Sequence, residues 1–241
     1  MVVRRGDRPL GPDDRLELSA AAGPAFPREL ALVHEDQDLL VIDKPPGLLT
    51  IATERERWRT AYRLLTDYVT GQRPGARLFV VHRLDRETSG LVCFARSAAA
   101  KRVLQDQFRA RSVERVYLAL VEGRVRPPEG TLRGRLVEDR ALRVRPARHG
   151  EEGREAITAY RVLAARADTT LLELTLGTGR RGQIRAQLAA LGHPIVGDAA
   201  YGSRRDPFRR VCLHATRLGL LAPDGRRLVF ESPERPAFAR P

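Results

Sequence analysis

"VVHRLDRETSGLVCFARS", residues 80–97, crowds His82, Arg83, Asp85, Arg86, Thr88 and Ser89 into the junction between two apolar runs. "RLFVVHRL" and "GLVCFAR" read as strands flanking the turn, and charges seldom enter a core unless paired. The junction is therefore either a surface turn or a site. Asp85 followed by Thr88, Ser89 and Gly90 is good turn chemistry, and Arg83 could pair with Asp85 in solvent. A Ser89–His82–Asp85 hydrolase finds no G-x-S-x-G nucleophile elbow to support it. Cys93 alternates into an apolar strand with no adjacent base, which argues against a thiol nucleophile. A third reading is a carboxylate at the mouth of a basic groove, acting on a nucleic-acid base.

Upstream of the junction, "LALVHEDQDLLVIDKPPGLL" reads as two short strands around an acidic turn, closed by Pro45, Pro46 and Gly47. "TAYRLLTDYVT" places Leu64, Leu65, Tyr68 and Val69 on one side of a helix. Downstream, Ser97 is positioned to cap a helix through "AAAKRVLQDQF". "RVYLALVEG" is the continuous apolar run of a strand covered on both faces. Residues 124–148 carry eight Arg against three acids and suggest an exposed β-ribbon, either a solvated hairpin or an RNA-gripping arm. "AITAYRVLAA" and "TTLLELTL" form an antiparallel pair. Ile184, Leu188 and Leu191 then mark a helix that Gly192 ends, and "VCLHATRLGLL" and "RRLVFES" follow as strands. Many strands, few helices and no βα alternation favour an α+β fold with a mixed or antiparallel sheet.

The 241 residues carry 43 basic against 30 acidic side chains, a net charge of +13, which points to an anionic partner, nucleic acid first. Lys44 and Lys101 are the only lysines. Compositional bias could explain the choice of Arg, but not the excess of base over acid. Mean hydropathy is −0.35, and no run approaches the roughly 18 apolar residues of a membrane span. The N-terminus lacks the apolar run of a secretory signal. Cys93 and Cys212, both in apolar runs, read as buried reduced thiols, which fits a cytoplasmic protein. The cysteines and histidines do not make a zinc site, and "GTGRRG" does not match a phosphate-binding loop.

Several motifs together carry a family likeness. "HRLDRETSG", with "VIDKPPGLL" upstream and "RVYLALVEG", "GREAITAYRVL", "RRGQIRAQLAALGHPIVGDAAYG" and "LHATRLGL" downstream, resembles the RluA-type pseudouridine synthases over about residues 30–233. The resemblance implies one catalytic domain with a central, mostly antiparallel sheet flanked by helices. It also implies isomerisation of uridine to pseudouridine within ribosomal or transfer RNA, needing neither cofactor nor metal. Asp85 matches the catalytic aspartate, whose carboxylate can attack an electron-poor sugar carbon or the uracil ring. Tyr117 matches a catalytic tyrosine that packs against the target uracil and is placed for proton transfer. Arg185 matches an arginine that pairs with the aspartate, and a cation there favours the carboxylate. His82 and Arg83 match the residues before the aspartate, the arginine taking the place of a uridine swung out of its stack. Leu84 and Thr88 match loop-shaping positions, and Gln183 a substrate-side one. A rival reading is a non-catalytic RNA-binding protein that keeps the fold.

Two departures stand out. Gly182 occupies a position that is usually His in the family, and the segment after "KPPGLL" continues as "TIATERERW" without the usual His-Pro. Residues 1–28 are expected to be an irregular arm, 29–236 the catalytic domain and 237–241 a tail, in a monomer.

Overall fold

Alternating apolar residues need two faces to cover, and this chain supplies helices for both. The computed structural model describes residues 24–54, 56–139 and 143–240. The expected arm therefore lies, up to residue 23, outside the described residues. The elements run β1 (Ala31–Glu35), β2 (Leu39–Lys44), α1 (Ala61–Gln72), β3 (Phe79–Val80), β4 (Ser89–Ala95), α2 (Ala98–Ala110) and β5 (Glu114–Glu122). They continue with β6 (Glu129–Glu138), β7 (Val144–Pro146), β8 (Arg154–Ala165), β9 (Thr169–Leu176), α3 (Gln183–Ala190), β10 (Leu213–Leu221) and β11 (Arg227–Glu231). All the strands join one sheet in the order β1-β2-β4-β10-β5-β9-β8-β6-β7, with β3 added to β4 and β11 to β10. The α+β expectation holds.

Period-two alternation divides the core. Leu39 and Val41 of β2, with Leu91 and Cys93 of β4, pack with Ala100 and Leu104 of α2. Leu40, Ile42, Val92 and Phe94 face the other way, into a larger cluster with Leu65 and Val69 of α1 and Ile184 and Leu188 of α3. Local chemistry sets the helix ends. Thr60 and Ser97 accept N–H bonds from Arg63 and Ala100 as N-caps. Gly192, at φ +87, closes α3 with bonds from the Gly192 and His193 amides to Ala189 and Leu188 carbonyls. The C-terminal segment is no loose tail, for Phe238 is buried in the main core. The Arg-rich segment continues the sheet, β6 pairing β8 along eight residues and β7 on its other side. No helix among the described residues is long and apolar enough to cross a membrane.

One edge of β4 is shared, and the sharing opens a cleft. β10 pairs with it in parallel only at Ser89 and Gly90, while β3 pairs with it only at Phe94 and Ala95. The strand expected over "RLFVVHRL" is thus cut to two residues. Between the two partners the Cys93 N–H has no backbone acceptor, and it donates instead to His82 Nε2 at 3.0 Å. The neutral ring accordingly carries its proton on Nδ1.

Candidate active site

The loop between β3 and β4 bears Asp85, and hydrogen bonds fasten it on two sides. Thr50 Oγ1 accepts from the Leu84 N–H (3.1 Å) and donates to the Leu84 carbonyl (2.9 Å). Lys44 Nζ, fully buried, donates to the carbonyls of Pro45 (2.9 Å), Leu48 (2.8 Å) and Arg86 (3.3 Å). Burial pulls this amine down to about 7 against the opposing charges of Glu87 and Asp85, and its three carbonyl acceptors match the three N–H groups of an ammonium. Gly47 N–H also donates to the Arg86 carbonyl, at 2.8 Å. Asp85 is thus presented by a braced turn, closed by the Thr88 N–H on the Asp85 carbonyl at 3.2 Å.

Asp85 meets the N-terminus of α3. Gly182, the helix N-cap residue, adopts φ +56 and donates its N–H to Asp85 Oδ2 at 3.2 Å. A side chain there would be strained, and its Cβ would crowd the Tyr201 hydroxyl at 2.9 Å. Arg185, one turn into the helix, brings Nη1 to 4.0 Å from Asp85 Oδ2. Its fork, however, is committed elsewhere. Nε and Nη2 bind Asp198 Oδ2 and Oδ1 at 2.6 and 2.7 Å, and the guanidinium lies 4.8 Å from the Tyr201 ring centre. Asp198 is 1% exposed. The expected Arg185–Asp85 pair is therefore the loose arm of a triad whose tight arm is Asp198.

A cleft of about 730 Å³ opens in front of Asp85, and a recess of about 60 Å³ lies behind it against Gln183, Ile184 and Leu213. Tyr117 borders both and is itself buried. Burial pushes its phenol up to about 12, Asp85 adding to the rise against an opposing Arg115, so the hydroxyl is protonated at neutral pH. The cleft wall includes six arginines, Arg83, Arg109, Arg111, Arg115, Arg180 and Arg181, and a single carboxylate, Asp85. Arg109, Arg111 and Arg181 are paired with Asp106, Glu155 and Glu138, while Arg83, Arg115 and Arg180 make no ion pair among the described residues and leave an anion as the wall's complement. Arg115 is the buried member, with Nε making no hydrogen bond among the described residues and the guanidinium 5.8 Å from the Phe108 ring centre. Gly179 leaves room for it, since a Cβ there would collide with Nη1.

The residues singled out from the sequence gather here but divide by what they offer. Asp85, Tyr117 and exposed Arg83 face the cleft, and Arg83 makes no hydrogen bond or ion pair among the described residues. His82 lines the same wall, with its ring stacked on Phe108 at 4.7 Å and its Nε2 occupied. Burial, reinforced by Arg115, pushes it down to about 3, so it is neutral. Leu84 and Thr88 are buried and shape the loop. Gln183 departs from the expected substrate contact. Its Oε1 accepts from the Arg180 N–H and Thr178 Oγ1, and its Nε2 donates to the Ile157 carbonyl and Thr158 Oγ1. Every polar valence of the amide is taken. Reading the sequence missed Asp198, Lys44 and Arg115. The signals were slight: a lone acid in the Gly-bracketed run "GHPIVGDAAYG", and one of only two lysines in a chain that otherwise uses arginine.

The chain is similar to known proteins in sequence and in fold. The sequence model of the RNA pseudouridylate synthase family matches residues 38–190. An RNA pseudouridine synthase of Bacillus subtilis is 34% identical over 239 residues, 98% of this chain and 78% of that protein. The dual-specificity RNA pseudouridine synthase RluA of Pasteurella multocida is 37% identical over 214 residues, covering 87% of this chain and 94% of that one. The solved structure of human RNA pseudouridylate synthase domain containing 1 superposes with a TM-score of 0.69 at 28% identity, over 89% of this chain and 86% of that one.

Proposed function

Because the chain belongs to the RluA-type RNA pseudouridine synthases, isomerases of uridine in RNA, we propose that Asp85 is its nucleophile and that its target uridine swings out of the RNA stack to be reached. The substrate in this reading is a ribosomal or transfer RNA, met in the cytoplasm by a monomer. The supporting observation is Asp85 itself: the only carboxylate on a wall of six arginines, held by the Gly182 N–H and within 4.0 Å of Arg185.

The reaction is an internal exchange. The bond from C1′ to N1 breaks, a bond from C1′ to C5 forms, and the C5 proton leaves as N1 gains one. Asp85 acts on the reacting nucleotide, and Tyr117, neutral, packs on the uracil and offers a hydrogen bond. Arg83, without an internal partner, fills the gap left in the stack, which offsets part of the few kcal/mol of extrusion. Arg185, clamped by Asp198, positions Asp85 through the α3 N-terminus. Asp85→Asn keeps the volume and loses the nucleophile. Tritium release from RNA labelled at uridine C5 is expected to vanish while RNA binding persists, and substantial turnover by the variant would remove Asp85 from the mechanism.

A further inference from the structure

Trp58, the only tryptophan of the chain, is 74% exposed. Among the described residues the next most exposed large apolar side chain, Val229, is at 48%. Single exposed apolar groups are ordinary. This one differs in being held out by a built turn. Glu56 Oε1 accepts the backbone N–H groups of both Trp58 and Arg59 at 3.0 Å, and the Glu56 N–H donates to Thr53 Oγ1 at 3.2 Å. The turn's far end is fastened by Ala61 and Tyr62 N–H bonds to the Leu49 and Thr50 carbonyls. Thr50 is the residue that also grips Leu84, next to Asp85. The Trp58 turn and the Asp85 loop are therefore two projections of one braced unit.

Cations lie on either side of the indole, while the Glu56 carboxylate is held by the turn's own N–H groups and Asp67 pairs with Arg63 at 3.0 Å. Arg57 and Arg59 flank it in sequence and are exposed, and the Arg63 guanidinium lies 5.6 Å from the ring centre. A flat aromatic face among exposed arginines complements an unpaired base with its phosphates, because any base can stack and each phosphate attracts a cation. We propose that Trp58 is a stacking platform for an unpaired base of the RNA, outside the cleft and beside the target uridine. This rests on the RNA isomerase reading and adds a second contact to it. Preorganisation by Glu56 means that binding does not have to order the turn first.

The lone tryptophan makes the test direct. Its emission is followed while the protein is titrated with a single-stranded oligouridylate or a blunt RNA duplex, with anisotropy of the labelled RNA reporting binding independently. The single strand is expected to quench the emission and the duplex to do so much less. Trp58→Ala should weaken oligouridylate binding by about fivefold to a hundredfold, with Trp58→Tyr close to the parent. Emission that stays constant while anisotropy shows binding, or an alanine variant that binds like the parent, overturns the platform. So does emission that changes with protein concentration alone, which would mark a protein contact. Tritium release by the unaltered enzyme tests the isomerase reading separately, so a silent tryptophan beside an active enzyme removes only the platform.

Discussion

Two arginine–carboxylate forks of the same geometry sit in opposite surroundings. At the cleft floor Arg185 grips Asp198 with bonds of 2.6 and 2.7 Å, at side-chain exposures of 13% and 1%. On β7 Arg145 grips Glu151, in the turn that follows, with bonds of 2.7 and 2.8 Å, at 35% and 34%. The hydrogen bonds cannot tell the pairs apart, yet the consequences of losing them differ. A solvated partner that loses its mate is rehydrated, while a buried one is left as an uncompensated charge. Burial, more than bond length, separates a pair that organises a site from one that decorates a surface.

Asp198→Ala breaks the buried fork and should have the largest effect. A loss of about 3–5 kcal/mol in urea unfolding is expected, with activity falling as the freed guanidinium turns toward Asp85. A loss as small as that of an exposed pair would abolish the distinction. The next effect concerns an uncharged buried group. His214 lies in a hydrogen-bonded chain from Arg210 through Ser89 to His214 and on to Ser232 and Asp43. Burial, with Arg210 adding to it, lowers its pKa from 6.5 to about 4. Between those values the unfolded chain binds the extra proton, so stability should fall as pH drops from about 6.5 toward 4. The cost there is on the order of 3 kcal/mol. Denaturation curves across that range should show a slope that His214→Gln cuts by roughly half, the rest belonging to His82, whose folded pKa of about 3 is lower still, and equal slopes would discard the assignment.

Lys44→Met takes a donor from three carbonyls, of which that of Arg86 keeps the Gly47 N–H. A destabilisation of about 1–3 kcal/mol is expected, accompanied by faster amide exchange of Gly47 and Thr88 in the loops it joins. Unchanged exchange would show that the ammonium does not brace the Asp85 loop. Glu151→Gln should do least. The Arg145 fork, helped by the Arg148 N–H, holds the Glu151 carboxyl down to about 2, a shift visible by NMR titration, but the melting temperature should stay within error. A large drop in melting temperature would place this pair with the buried one.

How much of this could be read from residue order follows the same division. The Ser97 cap, the stop at Gly192 and the strands at β2 and β4 are local chemistry, and they read correctly. Asp85 stood out because polar residues interrupted a strand pattern. Arg185's attachment to Asp198 and Lys44's to Arg86 are choices of partner made in three dimensions, which nothing in residue spacing distinguishes from a partner in solvent. The same limit explains Gln183, whose polar amide suggests a ligand contact until four protein groups are seen to saturate it. It explains β3 too, where His82 supplies an acceptor that a longer strand would have offered.

The brief parallel contact of β4 with β10 has a consequence in time. Ser89 and His214, which touch there, are 125 residues apart in the chain, and Gly90, at φ +110, must lie so close to Ala215 that a Cβ would collide with its backbone. Contacts this distant form late, because a long loop must close before they contribute. Leu213, from the same strand, walls the recess behind Asp85. During synthesis from the N-terminus, the turn bearing Asp85 leaves the ribosome long before that wall exists, so the nascent chain should be catalytically silent until β10 emerges. Tritium release by stalled chains of increasing length would display this as a step, and activity from chains ending before Leu213 would refute it.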